Sequence, residues 1–347
     1  MRWFYYLLLV ITFVITLIWI GVKGIEDVKN NPRYLFLIFL VLTLFISLRS
    51  INVGVDATSY KEIFYDISEY KFFDVFLYDR YEVGYKYLCK IFSLIWNNYQ
   101  FFQSSISIFQ MIAVYYFIKN NSKNYAISTF IFITFETYVF LFGILRQATA
   151  LAILLFAIKY LKEDNLMKFS ILVFLASLFH KTAAVFLLAY PLKYVKINRK
   201  TIIVFTILVF VTLLFGEKII YFIMNFIYRP STPTYNSGEG YKMLLLMYAI
   251  CIVNYIFKEK LQKQDKNNIL FLQILMLGTL IQCLAPTYKN VGRLVVYFFP
   301  FIDVLLANVY ELIENKKLKA WLLLTMVVSL TIFYFIRTND LFYELLF

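Results

Sequence analysis

The sequence predicts an all-α integral membrane protein, built as a polytopic bundle of about 12 transmembrane helices. Of its 347 residues, 62% are hydrophobic and only 16% are charged, whereas soluble domains have about 45–50% apolar and about 25% charged residues. Aromatic residues make up 20% of the chain, which suits lipid-facing helices with rings at the membrane interface. Long apolar segments recur from one end to the other. Together these features predict one membrane domain over residues 1–347.

The individual spans follow from segment length, because a helix needs roughly 20 apolar residues to cross a bilayer. The candidate spans are 3–22, 33–49, 100–118, 125–142, 145–161, 166–180, 182–195, 201–217, 241–257, 269–286, 292–310 and 319–337. The first lacks a small-residue cleavage site, so it predicts a retained helix rather than a signal peptide. The sixth and seventh are short, which predicts a broken pair that meets at "FHKTA" (residues 179–183).

Charge predicts the orientation of the bundle. With the N-terminus outside, the inner loops hold 19 basic and 8 acidic residues, a net charge of +11, and the rest of the chain holds 15 basic and 13 acidic residues, a net charge of +2. The positive-inside rule places the more basic loops in the cytoplasm. This orientation depends on counting 166–195 as two passes, because a single pass would invert the later half of the chain.

Two segments of the predicted outer face are too polar to cross the membrane. The first, about residues 50–99, is acidic and rich in tyrosine. Within it, the amphipathic period of "YKYLCKIFSLI" predicts a helix that lies in the interface. The second segment covers about 221–240, where Pro, Ser, Asn and Gly indicate a loop.

Cationic side chains cluster at two predicted outer helix starts. Arg146 precedes Gln147 at the head of one apolar run, and Lys289 and Arg293 lie before another. A guanidinium presents a planar fork to phosphate oxygens, and a helix start offers free N–H groups to an anion. These residues therefore predict an anion clamp, although each arginine alone could also be an interfacial residue that extends its charge toward water.

Three side chains are candidate general bases. His180 is the only histidine and lies at the predicted helix break, where a near-neutral pKa would suit proton transfer, although a lone histidine is more often structural. Asp56 and Glu82, in the first polar segment, compete with it. Glu136, inside the fourth helix, is predicted to pair with Arg146 and hold its side chain.

The sequence offers no other recognisable chemistry. No phosphate-binding glycine loop or metal-ligand spacing occurs, and the three cysteines show no paired spacing, so we predict neither a cofactor nor a metal. The net charge of +13 is explained by cytoplasmic lysines, and no nucleic-acid partner is expected.

Four stretches carry a family resemblance: "GVDATSY" (54–60), "YEVGYKYLCKIF" (81–92), "ILRQATALAI" (144–153) and "LFHKTAAVFLLAYPL" (178–192). In order and spacing they resemble the EpsG family of Wzy-like polysaccharide polymerases, with a weaker echo in "NVGRLVVYFFP". Val83 replaces the usual proline of this pattern, and Thr182 stands where serine is common.

The resemblance implies a GT-C-like enzyme that joins oligosaccharide repeat units carried on undecaprenyl diphosphate, at the outer face of the bacterial cytoplasmic membrane. Arg146 and Arg293 would stabilise the departing diphosphate, with Lys289 and Gln147 beside them. His180 or Asp56 would activate the acceptor hydroxyl. The residues expected to shape the sugar cleft are Glu82, Tyr60, Tyr85 and Tyr288. Membrane lipids, a chain-length regulator and a flippase would be its partners.

Three other functions remain open at this stage. A flippase for the same lipid-linked cargo would line a cavity with charge along its whole depth, whereas the intramembrane charges here lie mainly toward one face. A ligase or acyltransferase of the same pathway would favour an essential histidine near the inner face. A secondary transporter often has an internal repeat, and none is visible.

Overall fold

The computed structural model describes residues 3–51, 53–54, 56–227 and 240–338, and in these ranges it contains helices and no β-strand. In chain order the α-helices are α1 (Trp3–Lys23), α2 (Asp27–Asn30), α3 (Pro32–Ser47), α4 (Ala57–Glu69), α5 (Val83–Ile95), α6 (Tyr99–Asn121), α7 (Tyr125–Thr134), α8 (Thr137–Gly143), α9 (Leu145–Lys162), α10 (Leu166–Ser177), α11 (Ala189–Leu192), α12 (Arg199–Ile227), α13 (Tyr241–Ile256), α14 (Lys258–Gln264), α15 (Asn267–Gln282), α16 (Lys289–Val295), α17 (Phe299–Glu311) and α18 (Lys316–Thr338). Three 3₁₀ helices cover Phe72–Leu77, Lys181–Leu188 and Val296–Phe298. The all-α prediction is confirmed.

Within the described residues, five helices are long and apolar enough to cross a membrane, or up to seven if each bent pair is one span. The five are Tyr5–Lys23, Tyr99–Asn121, Arg199–Phe222, Asn290–Glu311 and Lys316–Ile336. The bent pairs are α7 with α8, at 46°, and α13 with α14, at 72°. These helices indicate a multi-pass membrane protein.

The predicted count of about 12 spans is not confirmed. An apolar run does not reveal where the backbone breaks, and several of the predicted spans are helices of 10–17 residues. The 12-residue α10, for example, rises only about 18 Å at roughly 1.5 Å per residue, which is less than the ~30 Å hydrocarbon core. The GT-C-like architecture stays a prediction.

The helices group into two compact units, one comprising Met1–Val185 with Ile313–Phe347 and the other Phe186–Leu312. The single membrane domain over residues 1–347 stays a prediction. In the first unit, α9 packs against both α6 and α10, and α6 also packs against α3. Asparagine begins four of these helices, because its side-chain oxygen accepts an N–H of the first turn. The four caps are Asn31, Asn98, Asn124 and Asn165.

The polar segment between α3 and α6 forms a small helical layer with its own core. In α4 the side chains of Tyr60, Ile63, Phe64 and Ile67 are buried together, because the spacing i, i+3, i+4, i+7 puts them on one face. They pack on buried residues of α5 and of the first turns of α6. The helix predicted from "YKYLCKIFSLI" is confirmed as α5, while its position at a membrane interface stays a prediction.

The chain is interrupted between α10 and the 3₁₀ helix Lys181–Leu188, so the break predicted at "FHKTA" is confirmed. Leu178 and Phe179 form the turn after α10, and His180 follows them without regular structure. Because the helix stops here, the backbone and side chains around His180 can contact another segment of the chain, the one that contains Glu82.

The second unit is built around α13, α15 and α17, which pack against one another. Its helix α12 continues to Ile227, ten residues beyond the predicted span, so the first part of the loop predicted at 221–240 is helical. Residues 228–239 of that loop lie outside the described residues.

Candidate functional site

In the first unit the structure brings together the first three family-like stretches and the start of the fourth, and two glycines make the close contacts. The Gly84 N–H donates a hydrogen bond of 2.8 Å to the Leu178 carbonyl, and a Cβ on Gly84 would lie only 2.7 Å from that oxygen. Gly54 has a left-handed φ of 128°, and a Cβ there would lie 2.6 Å from the Phe142 carbonyl. Only glycine allows such an approach. The α5 start is thus held against the helix break, and the α4 start against the turn before Arg146.

Three charged or titratable side chains meet at this junction. Arg146, the second residue of α9, donates a short hydrogen bond from Nη1 to Glu82 Oε2 and forms an ion pair with it. His180 Nδ1 lies 3.5 Å from Glu82 Oε1, and the Lys181 backbone N–H donates to the same oxygen over 3.2 Å. Glu82 therefore connects the start of α9 to the break after α10.

Tyr81 fixes the opposite side of Arg146. The Arg146 Cζ lies 3.7 Å from the centroid of the Tyr81 ring, close enough for a cation–π interaction. Tyr81 has a φ of 67°, a left-handed conformation that costs a bulky residue energy. Non-glycine residues held in such conformations cluster at functional sites. The guanidinium is thus held between a carboxylate and an aromatic face.

The environment of Glu82 keeps it ionised. Burial alone would raise its pKa, but the neighbouring His180 and the charge of Arg146 outweigh burial and lower the pKa from 4.5 to about 2. A carboxylate with so low a pKa is a weak proton acceptor near neutral pH. Its position suits an anchor for Arg146 and His180 better than the predicted role of general base.

Asp56 lies at the N-terminal boundary of α4, beside the same group. Among the described residues no side chain forms a hydrogen bond or ion pair with its carboxylate, but its charge acts on Tyr60, together with that of Arg146. Burial raises the pKa of Tyr60 to about 12. Asp56 is therefore a carboxylate whose charge reaches the site.

Tyr60 and Tyr85, which were predicted to shape a sugar cleft, are buried in the structure. Their side chains are only 2% and 1% exposed and pack on each other at 5.7 Å between ring centroids. Both lie on the apolar faces of their helices, so they fill the core beneath the site. Tyr81, which contacts both rings, is the tyrosine that reaches Arg146.

One buried polar atom of the junction has no hydrogen-bond partner among the described residues. It is Arg146 Nε. Buried polar groups are nearly always hydrogen-bonded in folded proteins, so this N–H marks a position where a polar ligand would supply the missing contact.

Two predicted residues of the first unit occupy other positions. Gln147 is completely buried within α9, so its amide has no surface to offer a diphosphate. Glu136 lies at the break between α7 and α8, whereas Arg146 takes Glu82 as its ion-pair partner. The polar segment between α3 and α6 supplies this carboxylate to the start of α9 from a position 64 residues away in the sequence.

The remaining predicted residues belong to the second unit. Arg293 is exposed and lies in the last turn of the short α16, which is also the first turn of the candidate span Asn290–Glu311, so its predicted position at the start of a span is confirmed. Tyr288 precedes α16 and accepts a hydrogen bond of 3.1 Å from Asn290 Nδ2 at its hydroxyl. Lys289 begins α16, and its side chain lies outside the described residues. Roles for these three residues stay predictions.

The described ranges contain no group of three or more His, Cys, Asp or Glu side chains able to hold a metal ion.

Two lysines of α5 are buried, which the sequence analysis did not predict, and they stabilise the polar segment that carries Glu82. Lys86 Nζ donates to the carbonyls of Phe76 and Tyr78, over 3.0 and 2.5 Å. Lys90 Nζ donates to the Ser68 carbonyl over 2.8 Å. Both lysines satisfy carbonyls at helix ends, which have no partner within their own helix. Their i, i+4 spacing on the apolar face of α5 was the available signal.

Comparison with known proteins agrees with this geometry. The EpsG family model matches residues 33–344, which includes all four family-like stretches. No curated protein and no solved structure matches the chain. A match over nearly the whole chain indicates a polysaccharide polymerase-like membrane protein. The chain belongs to the EpsG family, a Wzy-like polymerase family.

Proposed function

We propose that this protein polymerises oligosaccharide repeat units carried on undecaprenyl diphosphate, at the outer face of a bacterial cytoplasmic membrane. The single observation that carries the proposal is the Glu82–Arg146–His180 cluster, where residues of the family-like stretches meet. A fixed cation and a proton acceptor on one carboxylate are what glycosyl transfer from a diphosphate needs.

Arg146 would bind the diphosphate leaving group. In the reaction the acceptor hydroxyl oxygen forms a bond to the anomeric carbon, and the bond from that carbon to the diphosphate oxygen breaks. Negative charge develops on the leaving group, and a pre-positioned guanidinium stabilises it without reorganising. The Glu82 ion pair and the Tyr81 ring supply that positioning, while the Nε N–H remains for the substrate.

His180 would accept the proton of the acceptor hydroxyl. A carboxylate beside Nδ1 favours a proton on that nitrogen and leaves the other ring nitrogen as the acceptor, as in other carboxylate–histidine pairs. Asp56 is the alternative base, because its oxygens have no hydrogen-bonding partner among the described residues. Glu82 is the weakest of the three candidates, since its pKa is about 2.

The test uses purified protein with a synthetic undecaprenyl-diphosphate repeat unit and no nucleotide sugar. Wild type should produce a ladder of lipid-linked oligomers on a gel. Comparing His180→Gln with Asp56→Asn identifies the base, because loss of a general base costs roughly 10²–10⁴-fold in rate. Control variants Lys61→Gln and Glu62→Gln alter neighbouring charges on α4 away from the cluster.

The outcome would also distinguish the other functions. No ladder from folded wild-type protein on its native repeat unit would contradict polymerisation and favour a flippase. Full activity in both base variants would contradict the proposed proton transfer while leaving the polymerase itself intact.

A further inference from the structure

We propose that the groove between the C-terminal halves of α6 and α9 and the neighbouring α10 is a binding site for one anionic phospholipid of the cytoplasmic leaflet. The groove encloses a cavity of about 830 Å³, which lies within the ~300–1,000 Å³ of typical ligand pockets. It does not include the Arg146 cluster, and it does not depend on the proposed function.

The groove is amphipathic along its length. Toward the middle of the helices its walls are apolar, with Phe109, Ile153 and Phe156 among them. At the end where α6 and α9 finish, the lining changes to Asn120, Lys159 and Lys162. An apolar channel with a cationic, hydrogen-bonding mouth matches a lipid that has an anionic head and hydrocarbon chains.

The length of the groove identifies the kind of lipid. It runs from Lys162 to Ile153 along α9 and from Asn121 to Phe109 along α6, which are about 14 and 18 Å at roughly 1.5 Å per residue. One leaflet of a ~30 Å hydrocarbon core is about 15 Å deep. The groove therefore fits the chains of a single-leaflet phospholipid, and it is too short for a long polyprenyl chain that spans the bilayer.

The mouth is arranged for an anion at interface depth. Lys159 Nζ and Lys168 Nζ lie 5.7 and 5.5 Å from the centroid of the Tyr160 ring, which itself lines the groove. Tyrosine is enriched where membrane meets water. Glu163 lies 4.0 Å from Lys159, and both side chains are more than half exposed, so this contact competes only weakly with a phosphate.

The net charge at this end of the groove supports an anionic ligand and indicates that the groove opens toward the cytoplasmic leaflet. Segments 119–124 and 159–168 form this end of the three helices and carry five lysines against two acids. The charged residues are Lys119, Lys123, Lys159, Lys162, Lys168, Glu163 and Asp164. Positive loops face the cytoplasm, and basic pockets between membrane helices on that side bind anionic head groups.

The experiment measures lipid binding to full-length protein by native mass spectrometry. Phosphatidylglycerol and phosphatidylcholine with identical acyl chains are titrated separately, so that only the head group differs. We expect wild type to bind phosphatidylglycerol at least about fivefold more tightly than phosphatidylcholine. The variant Lys159→Gln/Lys168→Gln should lose this preference, whereas the matched variant Lys316→Gln/Lys317→Gln, with two exposed lysines at the start of α18, should keep it.

A second variant tests the apolar channel. Leu175→Trp places a large ring at a partly exposed wall position and should weaken both lipids while leaving the mouth intact. Equal binding of the two lipids to wild type would overturn the proposal, as would equal preference in the two double-lysine variants. Displacement of phosphatidylglycerol by undecaprenyl phosphate at lower concentration would reassign the groove to the polyprenyl carrier.

Discussion

The two ends of α9 both carry cationic side chains, but they hold them in different ways. At the first turn, the Arg146 side chain is 15% exposed and fixed between Glu82 and the Tyr81 ring. At the last turn, Lys159 is 68% exposed and lies 4.0 Å from Glu163. A held guanidinium recognises the geometry of phosphate oxygens, whereas a mobile ammonium recognises mainly charge. We therefore expect a selective site at the first end and a tolerant one at the other.

The most sensitive test of this comparison is Arg146→Lys, which keeps the charge but removes the planar fork. We expect polymerisation to fall by about 10²–10³-fold, the usual cost of losing one transition-state donor. The control Lys159→Gln removes a charge at the opposite end of the same helix and should retain near-normal activity. Product ladders from equal amounts of folded protein provide the measurement.

The opposite pattern would break the comparison. If Arg146→Lys polymerises as well as wild type, the guanidinium geometry is irrelevant and the residue is a boundary cation. If Lys159→Gln is equally inactive, the two ends of α9 act together.

Glu82→Gln should have the next largest effect. The substitution keeps the shape of the side chain but removes the charge that holds Arg146 and His180, so we expect about a 10–10²-fold loss of activity. As a positioning residue, Glu82 should affect kcat more than KM, and Glu82→Asp should restore part of the loss. The control is Glu69→Gln, an exposed carboxylate at the end of α4. A change confined to KM would instead place Glu82 in substrate binding.

The contacts of Glu82 with Arg146 and His180 also predict that the stability of the protein depends on pH. The folded-state pKa of Glu82 is lowered from 4.5 to about 2, so its stabilisation is fully present above about pH 4.5 and is lost as the pH falls toward 2. At roughly 1.36 kcal/mol per pKa unit the contribution is at most about 3 kcal/mol. Thermal unfolding of wild type and Glu82→Gln should differ most near pH 6, and the difference should shrink below pH 4.5. A difference that stays constant down to pH 3 would contradict the lowered pKa.

Sequence reasoning succeeded where the signal is local. The helix break at "FHKTA" and the position of Arg146 in the first turn of α9 are both confirmed, because apolar periodicity and polar interruptions are properties of neighbouring residues. It failed where the signal is a contact between distant residues. Glu82 and Arg146 are 64 positions apart, and nothing local distinguishes Glu82 from Glu136 as the partner.

The burial of Tyr60 is a different kind of miss. Its spacing with Ile63, Phe64 and Ile67 already indicates the apolar face of a helix. Its burial was therefore predictable from the sequence, but the polar composition of the whole segment suggested an exposed side chain. The number of spans could not be obtained in this way, because hydropathy does not locate backbone breaks within an apolar run.

Gly84→Ala tests the contact that brings the distant stretches together, and we expect the smallest effect from it. Its Cβ would lie 2.7 Å from the Leu178 carbonyl, so the backbone must shift, at a cost of about 1–3 kcal/mol for overpacking. The melting temperature should fall, and activity should fall with it because Glu82 moves away from His180. Gly21→Ala is the matched control, since it lies within α1 and no other atom lies within 4 Å of its added Cβ. There alanine should be neutral or stabilising by up to about 1 kcal/mol. Equal melting temperatures for both variants would show that the α5 start is free to separate from the helix break, and that the tightly held end of α9 does not depend on this glycine.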